Sequence, residues 1–197
     1  WPLATVLTGE PGFASSPTAT TLSVHAIPAE DDPASAALRP GAPIGLLGIE
    51  FETRRRNRAN GVVAAHDAGG FDVSVSQSFG NCAKYIQTRH RLGTRLDEQG
   101  AVESLDGLNA AARAMIEEAD TFFVASATPP GHAGGGLDMS HRGGTPGFVR
   151  LEGDTLTVPD FAGNRYFNTF GNLLLEPRAA LLFIDFAAGT TLQLQGV

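Results

Sequence analysis

The stretch Leu137–Phe186, LDMSHRGGTPGFVRLEGDTLTVPDFAGNRYFNTFGNLLLEPRAALLFIDF, decides how the chain is read. Apolar runs and turn residues follow one another in a set order: strand, glycine turn, strand, tight turn, strand. A short helix opening at Gly163-Asn164-Arg165 comes next, then a long apolar strand. Basic, amide and hydroxyl side chains fall just after strands and at the helix start, where backbone N–H groups point outward and favour an anion. Phosphate binding is the chemistry this order suits.

Upstream, Thr121–Ala127 (TFFVASA) predicts a buried strand, and Thr128–Gly136 (TPPGHAGGG) a loop that its composition marks as mobile. Glu103–Asp120 predicts the one long helix, because Leu105, Leu108, Ala112, Met115, Ile116 and Ala119 fall on one stripe. Trp1–Thr8 and Thr21–Ile27 read as strands joined by a Gly/Pro/Ser loop, and Asp31–Arg39 as a short helical piece. Pro43–Glu52 is apolar enough for a central strand. Arg54, Arg55, Arg56 and Arg58 follow, then an Asn60-Gly61 turn signal and a strand Val62–Ala65. Gly69-Gly70 turns into the alternating strand Phe71–Gln77, and Asn81–Arg89 reads as a short helix.

The chain also repeats itself. GEPGF at Gly9 matches GTPGF at Gly144, and LLGIEF at Leu46 matches LLFIDF at Leu181, both 135 residues apart. TLSV at Thr21 parallels TLTV at Thr155, slipped by one residue. These matches predict two copies of one β-rich unit. The first, residues 1–102, lacks the opening strand whose equivalent is TFFVASA; a linking helix spans 103–120; the second copy, 121–197, is truncated at its C-terminus. The absent initiator Met and the strand-like end at Val197 read as lost flanking sequence.

A length of 197 residues suits one domain or two small, intimately packed ones, and 42% apolar residues suit a folded, turn-rich chain. A net charge of −7 argues against a general nucleic-acid binder, which needs a surplus of Lys and Arg. The single cysteine, Cys82, excludes an internal disulfide framework and a CxxC metal site, and predicts a reducing compartment. With no membrane-length apolar run and no leader before Trp1, the expected location is the cytoplasm, with no membrane partner. The five histidines show no metal-ligand spacing, and no GxSxG elbow or P-loop is present, so no metal is expected and hydrolase and NTPase readings are weak.

The order GLDMSHRGG, TPGFVRLEGDTLTVPDFAGNR, NLLLEPRAALLFIDF resembles the pyridoxamine 5′-phosphate oxidase-like FMN-binding split-barrel family. It is most similar to the oxidase-related branch, some of whose members resemble fusions with flavin- or iron–sulfur-containing reductase domains. The strong match runs from about Phe122 to Val197, and the first copy matches more faintly. The resemblance implies a mainly-β chain with a few helices and an antiparallel split β-barrel. It also implies FMN in a groove between two barrels, which belong to a homodimer or, given the repeat, to an intrachain pseudo-dimer of tandem half-copies.

Carried over residue by residue, the phosphate-holding positions are Ser140 and Arg142 on the strand and Asn164, Arg165, Asn168 and Thr169 at the helix start. Against this stands the ordinary reading of a solvated Arg and a capping Asn. In the first copy, Glu30, Asp31 and Asp32 align near Arg165, and Thr5 and Leu7 align with Ser140 and Arg142, so one flavin site is expected, in the second copy. His141 alternates onto the opposite strand face and is not expected to touch phosphate. Asn81 and Lys84 are weaker candidates for a wall beside the isoalloxazine edge, with Cys82 a small buried hydrophobe. The Arg54–Arg58 run reads as a solvated hairpin end, or as a contact to a flavin across the pseudo-dimer or to an acidic partner.

The expected function is an FMN-dependent oxidoreductase acting on a small-molecule substrate, with a nicotinamide or a partner reductase as electron donor and no side chain assigned as acid or base. The alternatives are a non-catalytic flavin-binding or scaffold module, and oxidation of pyridoxamine 5′-phosphate itself.

Overall fold

The computed structural model describes residues 1–80, 82–90, 93, 102–163 and 165–197. Five antiparallel strands form the first sheet: β1 (Ala14–Thr18), β2 (Thr21–Val24), β3 (Pro43–Glu50), β4 (Arg55–Asp67) and β5 (Gly70–Gly80), in the order β1-β2-β5-β4-β3. Helix α1 (Ala110–Glu118) then leads into β6 (Thr121–Ala127) and β7 (Leu137–Gly143). A small hairpin, β8 (Arg150–Glu152) and β9 (Thr155–Thr157), precedes helix α2 (Asn168–Leu175), and β10 (Ala179–Ile184) and β11 (Thr191–Gly196) close the second sheet in the order β11-β10-β6-β7. The fold class is mainly β with antiparallel sheets, as expected. Among the described residues neither sheet closes into a barrel, and no helix is long and apolar enough to cross a membrane.

Three apolar clusters hold these layers. Period-two alternation splits β6 between two of them: Phe122 and Val124 join Ile116 of α1, Val149 and Phe183, while Ala125 joins Ala4, Ala180 and Leu182. The second sheet is therefore covered on both faces, which explains the near-continuous apolar run TFFVASA. In the first sheet Val24, Val63, Phe71 and Val73 form a separate core.

The GxPGF pair adopts the same turn twice. Phe13 N donates to Glu10 O at 2.9 Å and Phe148 N to Thr145 O at 3.0 Å, with Gly12 at φ 95 and Gly147 at φ 86. Pro at the second position and a positive-φ glycine at the third make each a type II turn. Each turn leads into a hairpin, β1–β2 or β8–β9, and β3–β4 and β10–β11 are the next matching pair. Counterparts also meet: the rings of Phe51 and Phe186, 135 residues apart, touch edge-on at 5.2 Å. Likewise β3 runs beside β7, while Ala4, the counterpart of Met139 on β7, packs on Ala180 and Leu182 of β10.

Several local expectations are corrected. Trp1–Thr8 contains no strand, and residues 31–39 form successive turns rather than a helix, with Ser35 N bonded to Asp32 O and Leu38 N to Ser35 O. The Ser/Pro loop holds β1, an exposed edge strand where Pro17 is tolerated. The long helix begins at Ala110, not Glu103, because Asn109 caps it through Ala112 N at 2.9 Å while Gly107 upstream disfavours helix. Residues 82–90 form no helix, and Asn81 lies outside the described residues.

Asn60-Gly61 is not a turn. Both residues lie inside the thirteen-residue β4, where a Cβ on Gly61 would stand 2.0 Å from the Ser74 carbonyl oxygen. The glycine serves close approach of two backbones beside a register irregularity in the β4–β5 ladder.

Candidate functional site

Strand β4 carries Arg56, Arg58 and Asn60 on one face, all buried, while Arg55 and Asn57 on the other face are exposed. That buried face looks onto β7, where the same period-two rule aligns Asp138, Ser140 and Arg142. Arg58 Nε donates to Met139 O at 2.9 Å and its Nη2 to Ser140 Oγ at 2.8 Å, with Asp138 Oδ1 3.5 Å from Nε. Ser140 Oγ in turn donates to Asp138 Oδ2 at 2.7 Å. Arg56 Nη2 donates to the Cys82 carbonyl at 2.8 Å. Left over here among the described residues are Arg56 Nε, Arg58 Nη1, both ring nitrogens of His141 and the acceptors Asn60 Oδ1 and Asp138 Oδ1, all buried and without a hydrogen-bond partner.

Helix α2 enters the same space. Its N-cap, Phe167, lies in the left-handed region at φ 55 and supplies no side-chain cap. Gly171 N, bonded to Phe167 O at 2.7 Å, starts the helical ladder, so the N–H groups of Asn168, Thr169 and Phe170 precede it. The helix therefore opens five residues later than the Gly163 start expected. Arg165, also left-handed at φ 61, is exposed and has no hydrogen bond or ion pair to a described residue.

These elements enclose a cavity of ≈ 220 Å³. Ser140, Arg142, Arg165, Asn168, Thr169 and Lys84, all expected from sequence, line it together. Asn164 and Asn81 lie outside the described residues. Arg142 is tied to Asp160 at 3.3 Å and lies 5.1 Å over the Phe170 ring. Lys84 Nζ and Tyr85 OH both donate to Ala162 O, at 3.4 and 2.9 Å, holding the 159–163 loop against the cavity mouth. Tyr85 and Phe161 stack obliquely there at 5.2 Å.

Arg56 and Arg58 are the residues sequence reasoning left on a solvated hairpin end. The signal that places them is their i, i+2 spacing, which is legible only once the strand is known to run through Asn60-Gly61. Cys82, expected to be buried, is exposed at the rim. His141 does lie on the opposite face of β7 from Ser140 and Arg142, edge-on to Phe123 at 5.8 Å, yet it still forms part of the wall.

The electrostatics are one-sided. Arg56, Arg58, Arg142 and Arg165 face Asp160 at the wall and Asp138 behind Arg58, a surplus of two positive charges before Lys84 is added. Burial lowers the pKa of Arg56, and the neighbouring Arg58 lowers it further; burial also lowers that of Arg58, opposed by Asp138. His141 is held down to about 3 by burial and then by Arg56, Arg58, Arg89 and Arg142, so its imidazole is neutral at pH 7. Unpartnered buried donors around a positive surplus make a site for an anion.

No protein-family model matches the chain, and no curated protein or solved structure matches it at a significant level.

Proposed function

We propose that the chain binds FMN through its phosphate in this cavity, as an oxidoreductase of the pyridoxamine 5′-phosphate oxidase-related class with a small-molecule substrate. The observation that carries the reading is the set of unpartnered N–H groups on Arg56 and Arg58, gathered from one half of the chain against Ser140, Arg142 and the start of α2 from the other. A phosphomonoester carries a charge of about −1.5 to −2 at pH 7, which matches the local surplus. A single carboxylate would leave it half-neutralised.

Volume bears on the rest of the proposed ligand. At ≈ 220 Å³ the cavity is smaller than the roughly 300–1,000 Å³ of sites that engulf whole drug-sized molecules. It suits the phosphate and the start of the ribityl chain. Tyr85, Phe161 and Phe170 at the mouth would offer aromatic faces for stacking against an isoalloxazine. The protein's part is to anchor and orient the flavin, which when bound supplies the redox chemistry. Electrons come from a nicotinamide or a reductase partner, and the two halves act as an intrachain pseudo-dimer in the cytoplasm.

The test is the visible spectrum of the purified chain after FMN addition and desalting, beside Arg165→Ala and Arg56→Met variants. Oxidised-flavin bands retained by the native chain and lost in the variants support the reading. A native chain that keeps no flavin while still binding inorganic phosphate refutes FMN and leaves an anion-binding scaffold module. Reduction of the bound flavin by NAD(P)H, with reoxidation by a turnover substrate, separates enzyme from binding module.

A further inference from the structure

The residues that line the cavity have counterparts 135 positions away, and some of these meet around Asp32 as a twin of the site. One pair of positions 135 apart, Phe51 and Phe186, meets ring to ring, as residues on the axis of a two-fold interface do. The counterparts of Ser140, Arg58 and Thr169 are Thr5, Gln193 and Ala34. In the twin these three converge on one side chain: Gln193 Nε2 donates to Asp32 Oδ2 at 2.9 Å, Thr5 Oγ1 donates to the same oxygen, and Ala34 N donates to Asp32 Oδ1 at 2.7 Å.

Asp32 is the counterpart of Phe167, the residue before α2, so the open cavity has no carboxylate at that place. Of the three donor positions, Arg58 keeps Nη1 without a hydrogen-bond partner and Thr169 keeps an N–H that no described acceptor takes, while the Ser140 hydroxyl, which accepts from Arg58 Nη2 at 2.8 Å, donates to Asp138 Oδ2 at 2.7 Å. The cations are not mirrored. Where the open cavity has Arg56, Arg142 and Arg165, the twin has Thr191, Leu7 and Glu30.

We propose that the Asp32 carboxylate is a built-in anion that closes the twin. It also marks, through its partners' counterparts, where a ligand's anionic group sits in the open cavity: on Arg58 and the Thr169 N–H, beside Ser140. The inference rests on the anion-binding reading above and deepens it. The chain takes one such group, not two. Neutral donors suffice for the single charge of Asp32, whereas the arginines of the open cavity call for the larger charge of a phosphomonoester.

Inorganic phosphate titrated into the ¹⁵N-labelled native chain tests this. The Thr169 amide resonance should move saturably, at one phosphate per chain, while the Ala34 amide stays still. Arg58→Gln, which copies Gln193 into the open cavity, should weaken the response at least tenfold. The double variant Asp32→Ala/Gln193→Arg removes the carboxylate, frees the Ala34 N–H and supplies a guanidinium, so Ala34 should then respond as well. A response at Ala34 in the native chain overturns the proposal, because the twin is then not closed. Silence at Ala34 in a folded double variant that still responds at Thr169 overturns it too, while leaving the anion reading standing. Silence at both amides in the native chain removes the anion reading itself, and the twin argument with it. Should the double variant not fold, the native titration with Arg58→Gln decides alone, since Thr169 responding without dependence on Arg58 also refutes the assignment.

Discussion

Acidification should unfold this protein through His141. The imidazole is 6% exposed, has no partner on either nitrogen among the described residues, and its pKa is held at about 3 by burial and four surrounding arginines. In the unfolded chain it titrates near 6.5. The folded pKa is the lower one, so below pH 6.5 the unfolded state binds a proton that the folded state refuses, and stability falls as pH falls. More than about a unit above 6.5 the residue contributes no pH dependence. One proton corresponds to about 1.4 kcal/mol per pH unit, so about 2 kcal/mol is lost between pH 7.5 and 5, and the loss continues toward the folded pKa. Carboxylates titrate over part of this range, so the measurement is a difference: urea unfolding of the native chain and of His141→Gln at pH 7.5, 6.5, 5.5 and 5. The variant keeps a polar side chain of similar length that cannot take up the proton. Its stability should gain on the native chain by about 2 kcal/mol across that span. A gap that stays constant within about 0.5 kcal/mol would refute the placement of a neutral, desolvated histidine beside the arginines.

Replacing the guanidinium of Arg56, whose Nε is buried without a partner, should separate stability from binding. Arg56→Met should leave the ligand-free melting temperature unchanged or raised, since it removes a desolvated like charge beside Arg58, while FMN or phosphate affinity drops at least tenfold. Phe183 is fully buried between Phe122 and the α1 side of the second sheet, and Phe183→Ala should cost about 3–5 kcal/mol in denaturant unfolding. Gly147→Ala, at φ 86 with open space around its Cβ, should cost about 1–2 kcal/mol from backbone strain alone, and Gly12→Ala should match it at φ 95. Unequal effects at the two glycines would count against the equivalence of the turns.

Much of the second sheet was legible because its signals are local. TFFVASA is too apolar and too short for anything but a buried strand, and TPGF carries both halves of a type II turn. The repeat was legible for the same reason, since GxPGF and the LLxIxF strands keep their chemistry in both copies. Errors cluster where tertiary contact overrides local preference. Asn60-Gly61 looks like a turn until Ser74 is known to press on it, and Ser15-Ser16-Pro17 looks like a loop until β2 pairs with it. Arg56 and Arg58 were hidden for a related reason: a run of arginines reads as solvated unless the strand's facing partner, β7, is already in view. Asp32 shows the opposite limit. Its carboxylate was read as a reason for the first copy to lack a site, but its acceptor role depends on Thr5 and Gln193, one of them 161 positions away.

Strand β4 works on both sides, and that fixes its alignment twice over. From Arg56 to Asn60 its even-numbered side chains are covered by β7, while at Val63 the odd-numbered side lies in the first sheet's apolar core. A slip by one residue would take Arg58 from Ser140 and the Met139 carbonyl, take Arg56 from the Cys82 carbonyl, and bring Val63 out to water in the same movement. Alternative pairings of β4 therefore lie far above the native one in energy. Its central amides should exchange with deuterium only through global unfolding, at the slow limit for the whole chain, while the exposed edge strand β1 exchanges through local opening.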